Sequence, residues 1–229
     1  MNDNTIKLIR NEIIFSYLFT IIVISILSIL SFFYLPFKGV TLPVTILLFL
    51  FVPYIIAKKK EIKIEEFGIK EDEILKDVIV GLGSATVIFP PFWLGTLFFW
   101  HFIFNIPIEF KFKLPNDIMK QFIVNLFLVA LPEEFFYRGY IQSRIKKYFI
   151  LKKMKNIKAS ISAIIITSIF FALSHIITIP SITRLSVFFP SILFGILREI
   201  RDSIYPSVIL HGLSNIFMNI LILSYNIGN

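Results

Sequence analysis

The sequence contains no cysteine, and only 17% of its 229 residues are charged. Without cysteine, the chain forms no disulfide, no thiolate zinc site and no cysteine nucleophile. The hydrophobic fraction, by contrast, is 56%, and the mean hydropathy is +0.82. A soluble domain of this length carries far more polar residues. These values therefore exclude an ordinary soluble globular protein.

Charge is absent over segments that are long enough to cross a bilayer. Residues 13–37 contain no charged side chain, and about 20 apolar residues suffice for a membrane-spanning helix. This run is too long for the apolar part of a signal peptide, and no small-x-small cleavage site follows it, so we expect a retained helix. The sequence predicts an all-α protein, a polytopic membrane helical bundle.

The apolar runs predict about seven transmembrane helices in a single integral-membrane domain, 1–229, with its motif-bearing core at 117–224. Pro90-Pro91 in the third run must break or kink a helix. We expect one kinked span there, and the alternative is two half-length helices, one of them re-entrant. The expected spans are 13–35, 40–57, 74–105, 117–145, 159–179, 184–198 and 204–224.

The basic residues predict the orientation of the chain in the membrane. The net charge is +8, but the basic residues lie in short loops between apolar runs, where they set orientation and meet lipid headgroups rather than nucleic acid. With the N-terminus inside, 17 Lys and Arg residues lie on the inner side and five on the outer side. We therefore expect the N-terminus in and the C-terminus out. The Ile-, Lys- and Asn-rich composition favours a prokaryotic plasma membrane over the endoplasmic reticulum.

Polar motifs interrupt three of the predicted spans. Charged and polar groups inside membranes are rare and usually functional. The first motif is PEEFFYRGY, the second is FALSH and the third is HGLSN. Their polar members are Glu133, Glu134, Arg138, His175, His211 and Asn215.

Helical geometry separates the two glutamates. Glu134 and Arg138 are four residues apart with the acid first, which favours an ion pair on one face. Glu133 is turned by about 100° from Glu134 and has no partner on its own helix. A desolvated carboxylate is a better base. We expect a structural Glu134 and a chemical Glu133, although the ion pair alone is equally consistent with helix packing.

The spacing of the motifs predicts that they meet. If spans four and five form a hairpin with its turn near 150–155, Glu133 is level with about Ala172, and His175 lies about 4.5 Å further along. His211 and Asn215 are four residues apart on one face, so both can donate to one oxygen atom. His211 is, however, only about six residues inside its span, nearer the inner surface than His175. A simple interhelical hydrogen bond is the alternative for each residue.

Other hydrolytic chemistries lack their motifs. There is no H-E-x-x-H zinc motif and no G-x-S-x-G elbow in the sequence. Two histidines and a glutamate are able to bind zinc, but their spacing matches no standard zinc motif. We expect no metal and no cofactor.

The ordered motifs resemble the CPBP, or Abi, intramembrane proteases, which include the type II CAAX prenyl endopeptidases. The family pattern is E-E-x-x-x-R, then F-x-x-x-H, then H-x-x-x-N or D, and the matching residues span 133–215. Residues 1–110 carry no matching motif. The stretch 194–215 is also similar to the sorting-tail proteases called myxosortases. The matching residues are Glu133, Glu134, Arg138, Phe171, His175, His211 and Asn215.

The resemblance implies a metal-independent glutamate-type peptidase with an α-helical membrane fold. By that resemblance, Glu133 is the general base for a water, assisted by His175. His211 and Asn215 stabilise the oxyanion. The supporting residues are Glu134, Arg138 and Phe171. The expected partners are membrane lipid and a membrane-associated or C-terminal-tail peptide, which leaves prenylated tails, bacteriocins and sorting tails open.

Two other functions fit intramembrane acids and histidines. A small transporter uses such residues for proton or ion paths, but it predicts paired broken helices in two halves. Only one broken segment, at Pro90-Pro91, is visible. A non-catalytic immunity or scaffold protein of the same fold is expected to have lost Glu133 or His175, and both are present.

Overall fold

The computed structural model describes residues 3–34, 39–103, 105, 109–178 and 181–227, and all regular structure in these residues is helical. This confirms the predicted helical bundle. Each of its seven long helices overlaps one predicted span. Two predicted span ends, residues 35 and 179, lie outside the described residues. The same holds for Phe104, within the third predicted span, and for Lys38, one of the basic residues predicted to lie outside. The helices are α1 Asp3–Phe33, α2 Thr41–Lys59, α3 Ile74–Phe98, α4 118–151, α5 Asn156–Thr178, α6 Phe188–Arg201 and α7 Tyr205–Ser224.

Five of these helices are long and apolar enough to cross a membrane: α1, α2, α3, α5 and α7. Helix α6 has only 14 residues, which cover about 21 Å, less than the roughly 30 Å hydrocarbon thickness. Helix α4 carries the motif charges within its apolar part, and its end, Ser143–Leu151, is amphipathic. Length and hydropathy thus support five spans, with α4 and α6 packed among them.

The Pro90-Pro91 segment forms one continuous helix, α3, which a π turn extends to Ile103. The prediction of a single span is therefore confirmed, and the alternative of two half-length helices is wrong. Each proline removes a backbone donor, but packing on α7 holds the helix together. The Phe89 ring stacks on Phe217 with centroids 4.5 Å apart. A Cβ atom added at Gly81 would lie 2.7 Å from the Cβ of Ile209, so the two helices approach closely there.

Helix α4 is the centre of the bundle and the least regular helix. Two π-helical segments, Val124–Ala130 and Phe135–Gln142, flank the short α-helical turn Leu131–Glu134. All eight residues of the second π segment are buried. The Phe136 ring packs on Phe49 of α2 at 5.0 Å. Because π turns are rare and often occur at functional sites, the backbone itself marks this part of the chain.

The loops that were predicted to lie inside meet at one end of the bundle, here called the ion-pair end. Arg144 binds Glu12 of α1 through both carboxylate oxygens, at 2.7 and 2.8 Å. The remaining ion pairs of this end among the described residues are Lys60–Glu12, Lys70–Asp202, Lys76–Glu73, Lys147–Glu66, Arg198–Asp202, Arg201–Glu73, Arg201–Asp77 and Lys146–Glu199.

At the opposite end, the backbone N–H of Lys111 donates to the Ser224 carbonyl at 2.8 Å. The Trp93 Nε1 donates to the Tyr225 hydroxyl at 3.1 Å. The loops predicted to lie inside and those predicted to lie outside are therefore at opposite ends of the bundle, as the prediction of seven spans requires. Which end faces the cytoplasm stays a prediction.

Reporter fusions are expected to place the 58–76 and 144–158 loops in the cytoplasm and the C-terminus outside. The reason is the 17-to-5 bias of basic residues toward the ion-pair end. Fusions of alkaline phosphatase and green fluorescent protein at each loop give the measurement. A cytoplasmic C-terminus would contradict an odd number of spans.

The ion-pair end also predicts a pH effect on stability. Hydrogen bonds from Lys76 and then Arg201 lower the pKa of Glu73 below its usual 4.5. A carboxyl group with a lowered folded-state pKa contributes stability above its unfolded pKa and loses it as the pH falls through the folded value. The melting temperature of the wild type should exceed that of Glu73→Gln at pH 7, and the difference should shrink as the pH falls below 4.5 and through the lowered folded-state pKa. The Glu65→Gln variant, whose side chain has no ion pair among the described residues, is the control in thermal melts.

Candidate active site

The Glu134 and Arg138 side chains form an ion pair in the interior of the bundle, and both are fully buried. The Arg138 Nη1 lies 3.2 Å from the Glu134 Oε1. The Arg138 Nη2 donates to the Ser191 hydroxyl of α6 at 2.8 Å. The guanidinium lies over the Phe171 ring of α5, 4.4 Å from its centroid. The predicted pair thus exists, and it joins three helices.

His211 of α7 lies between the two adjacent glutamates of α4. Its Nδ1 is 2.8 Å from the Glu134 Oε1, and its Nε2 is 3.8 Å from the Glu133 Oε2. The imidazole also stacks on the Phe194 ring of α6 at 4.8 Å, with 14° between the planes. Glu133 therefore has a neighbour on another helix, because His211 lies beside both Glu133 and Glu134.

The hydrogen bond to Glu134 orients the His211 ring. A carboxylate that is paired with arginine only accepts hydrogen bonds, so the Nδ1 of His211 carries the hydrogen. A fixed Nδ1–H leaves Nε2 directed at Glu133. The gap of 3.8 Å between Nε2 and Glu133 is too long for a direct hydrogen bond.

The two glutamates differ sharply in their surroundings. The Glu134 side chain is 0% exposed, whereas that of Glu133 is 18% exposed. The Glu133 Oε2 is itself buried and has no hydrogen-bond partner among the described residues. Glu133 therefore combines a desolvated oxygen with partial access, which suits a group that must meet water and release it.

His175 joins this cluster from α5. Its Nδ1 lies 2.9 Å from the Phe171 carbonyl, and its ring packs on the Phe171 ring at 4.4 Å. The His211 ring packs on the same Phe171 ring at 5.9 Å. The centroids of the two histidine rings are therefore no more than about 10 Å apart, within the roughly 12 Å beyond which a shared reacting atom is out of reach. The structure brings Glu133, His175 and His211 together.

The predicted hairpin of α4 and α5 exists, with a register about one turn from the expected one. Helix α4 ends at Leu151 and α5 begins at Asn156. The Tyr137 ring packs on the Phe171 ring at 5.0 Å and its hydroxyl donates to Ser174 at 2.7 Å, so Tyr137 is level with a part of α5 between 171 and 174 instead of the expected 168. The expected depth conflict for His211 is also absent, because His211 contacts Glu134 and packs on the same Phe171 ring as His175.

Asn215 lies one turn beyond His211 on α7 and is half-buried. Its side chain forms no hydrogen bond among the described residues, and its contribution to the site stays a prediction. The described residues hold no group of three or more His, Asp and Glu side chains that fits a metal ion. The third histidine, His101, is exposed in the π turn after α3.

Helix α6 supplies two contacts that sequence reasoning did not identify. Ser191 binds Arg138, and Phe194 stacks on His211. Together with Gly195 and Arg198, they form the buried face of α6. Their spacing of three, four and seven residues is the signal that would have found this face. Its members are small, apolar or basic, so the face did not look like part of a site.

The Glu134→Gln variant is expected to lower stability strongly. It leaves the buried Arg138 without its counter-ion, and removal of one partner from a buried pair costs roughly 3–5 kcal/mol. The measurement is the thermal melt in detergent and the yield of folded protein. The matched control is Ser191→Ala, which removes a hydrogen bond to the same guanidinium but no charge. Equal melting temperatures for both variants would contradict the ion pair.

Comparison with known proteins gives one match. The family model described as type II CAAX prenyl endopeptidase Rce1-like matches residues 115–217. This segment is slightly less than half of the 229-residue chain, and it contains all three motifs and the helices that carry them. No curated protein and no solved structure matches the chain significantly. The segment 115–217 is therefore similar to the Rce1-like type II CAAX prenyl endopeptidases, in agreement with the resemblance to the CPBP family.

Proposed function

We propose that this chain is an intramembrane endopeptidase in which Glu133 activates a water molecule, without a metal ion. One observation carries the proposal. A single imidazole, that of His211, lies between a neutralised carboxylate, Glu134, and a partly accessible one, Glu133. The family match supports a protease, and the difference between the two glutamates supports their separate functions.

Hydrolysis proceeds in two steps on this geometry. Glu133 takes a proton from water while the oxygen attacks the peptide carbonyl carbon, and His175 helps to orient that water. His211 and Asn215 donate to the oxyanion that forms. The intermediate then collapses, the C–N bond breaks, and Glu133 returns the proton to the departing amine.

The Glu134–Arg138 pair has a positioning function in this mechanism. With Nδ1 of His211 donating to Glu134, donation from Nε2 to an oxyanion requires the imidazolium form. The Glu134 carboxylate beside Nδ1 offsets the charge of that form. Arg138 pairs with Glu134 and holds it in place. The other contacts of Arg138 are Ser191 and Phe171.

The substrate is a peptide that reaches the membrane, either a membrane-associated protein or a C-terminal tail. The composition favours the plasma membrane of a prokaryote, where a bacteriocin or a sorting tail of the myxosortase type fits better than a prenylated tail. Lipid surrounds the exposed apolar faces of α1, α3 and α5.

The Glu133→Gln variant is expected to fold normally and lose hydrolysis. The amide keeps the shape of the side chain but accepts no proton from water, and general-base assistance is typically worth 10²–10⁴-fold. The measurement is the cleavage of two internally quenched peptides with apolar C-terminal tails, one farnesylated and one not. Thermal melts report folding.

Two controls separate the mechanism from its alternatives. Glu134→Gln should reduce the melting temperature as well as activity, so the two glutamates give different results. Chelators should leave the wild type active. Near-normal turnover by Glu133→Gln, or activity that depends on added zinc, would overturn the mechanism. Proton flux across proteoliposomes without peptide cleavage would favour a transporter.

A further inference from the structure

Two tyrosines from different helices reach the turn of α5 that carries His175. The Tyr17 hydroxyl of α1 donates to the Phe170 carbonyl at 2.9 Å, and the Tyr17 ring stacks on the Phe170 ring at 4.3 Å. The Tyr137 hydroxyl of α4 donates to the Ser174 hydroxyl at 2.7 Å. Both tyrosines are buried, so groups of α5, rather than bulk water, satisfy their hydroxyls.

The bond from Tyr137 continues to the carbonyl that also binds His175. The Ser174 hydroxyl, which accepts from Tyr137, donates to the Phe171 carbonyl at 2.7 Å. The His175 Nδ1 lies 2.9 Å from the same carbonyl oxygen. Because a carbonyl only accepts hydrogen bonds, Nδ1 carries the hydrogen and Nε2 of the neutral ring is an acceptor. Glu133 is an electrostatic neighbour of this ring, so the acceptor nitrogen belongs to the candidate site.

The two tyrosines restrict the hydrogen bonds that are open to this turn. A serine in a helix donates to the carbonyl three or four residues earlier, which for Ser174 is that of Phe171 or Phe170. The Phe170 carbonyl already accepts from Tyr17, and the bond from Tyr137 fixes the position of the Ser174 oxygen. The serine hydrogen is thereby directed to the Phe171 carbonyl. The turn that sets the tautomer of the histidine is therefore held from α1 and from α4.

A second contact of Tyr137 supports the aromatic ring that both histidines of the site share. The Tyr137 ring meets the Phe171 ring edge-on, with centroids 5.0 Å apart and 88° between the planes. The Phe171 ring packs on His175 at 4.4 Å and on His211 at 5.9 Å. Phenylalanine in place of Tyr137 keeps this ring contact and removes only the hydroxyl. The contribution of the hydrogen bond is therefore separable from that of the ring.

We propose that Tyr17 and Tyr137 are positioning residues for His175, which keep its Nδ1–H on the Phe171 carbonyl and its Nε2 as an acceptor for the attacking water. This inference rests on the proposed peptidase function. Neither tyrosine is among the residues that the three polar motifs identify, and Tyr17 lies outside the matched segment 115–217. Helix α1, which carries no motif, thereby contributes to the reaction.

The kinetic test compares three buried tyrosines whose hydroxyls are all hydrogen-bonded. Tyr17→Phe and Tyr137→Phe should each lower kcat for the quenched peptide roughly three- to tenfold, as expected for one lost hydrogen bond, with KM within about twofold. The matched control is Tyr140→Phe, because the Tyr140 hydroxyl bonds Ser16 and Glu12 of α1 instead of α5. This control should lower the melting temperature and leave kcat unchanged.

A spectroscopic readout separates positioning from packing. Nuclear magnetic resonance of isotope-labelled histidine distinguishes the two neutral tautomers, and the sequence contains only three histidines, His101, His175 and His211. The signals of His175 are assigned by their loss in His175→Gln. The wild type and Tyr140→Phe should show the Nδ1–H tautomer of His175, whereas Tyr137→Phe should show a mixture with the Nε2–H tautomer.

A double-variant cycle connects the tyrosines to the histidine. In the His175→Gln background, neither Tyr17→Phe nor Tyr137→Phe should lower the residual kcat further, because the group that they position is already absent. Losses that multiply in this background would show that the tyrosines act elsewhere.

The outcomes separate this inference from the function on which it rests. If the wild type cleaves no peptide, the proposed function fails, and the histidine tautomers still decide whether the tyrosines position His175. If cleavage depends on Glu133 but Tyr17→Phe and Tyr137→Phe change only the melting temperature, their hydroxyls make packing contacts and the inference is wrong. An equal loss of kcat in Tyr140→Phe, or an unchanged His175 tautomer in Tyr137→Phe, would also overturn it.

Discussion

The buried pair of Glu134 and Arg138 holds the site together. Two charges without solvent are costly unless each finds several partners, and this pair finds them on three other helices. Arg138 reaches Ser191 of α6 and the Phe171 ring of α5, while Glu134 reaches His211 of α7. The contacts of this one pair therefore join α4 to α5, α6 and α7, and the geometry of the candidate site depends on them.

The same interaction explains why two adjacent glutamates differ. Neighbours on a helix point about 100° apart, so only one of them is able to pair with a residue four positions later. Glu134 pairs with Arg138 and accepts a hydrogen bond from the Nδ1 of His211. Glu133, on the next position, meets the far side of the same imidazole and the open part of the bundle. The His211 imidazole thus lies between the buried carboxylate of Glu134 and the partly exposed carboxylate of Glu133.

The sequence predicts the parts of this arrangement that depend on local rules. Helix number, the hairpin turn after Leu151 and the Glu134–Arg138 pair follow from apolar runs and from four-residue spacing. The contact of Glu134 with His211 does not, because 77 positions separate them and no periodicity reports which helices are neighbours. The continuity of α3 at Pro90-Pro91 also depends on packing against α7. The contact of Ser191 with Arg138 was not predicted, because a single serine in an apolar helix forms no recognisable sequence pattern.

A hydrolase inside a membrane needs water and an extended peptide where both are least soluble. Peptide main chain is stable in an apolar environment only when its polar groups are paired, so the approach to the base must itself be polar. The buried side of α4 offers no such approach, since Phe135–Gln142 is enclosed. Among the polar groups of the candidate site, the Glu133 side chain, which is 18% exposed, keeps partial access. Two π segments of α4, Val124–Ala130 and Phe135–Gln142, flank the turn that carries Glu133, so the irregular backbone lies on both sides of that carboxylate along the chain.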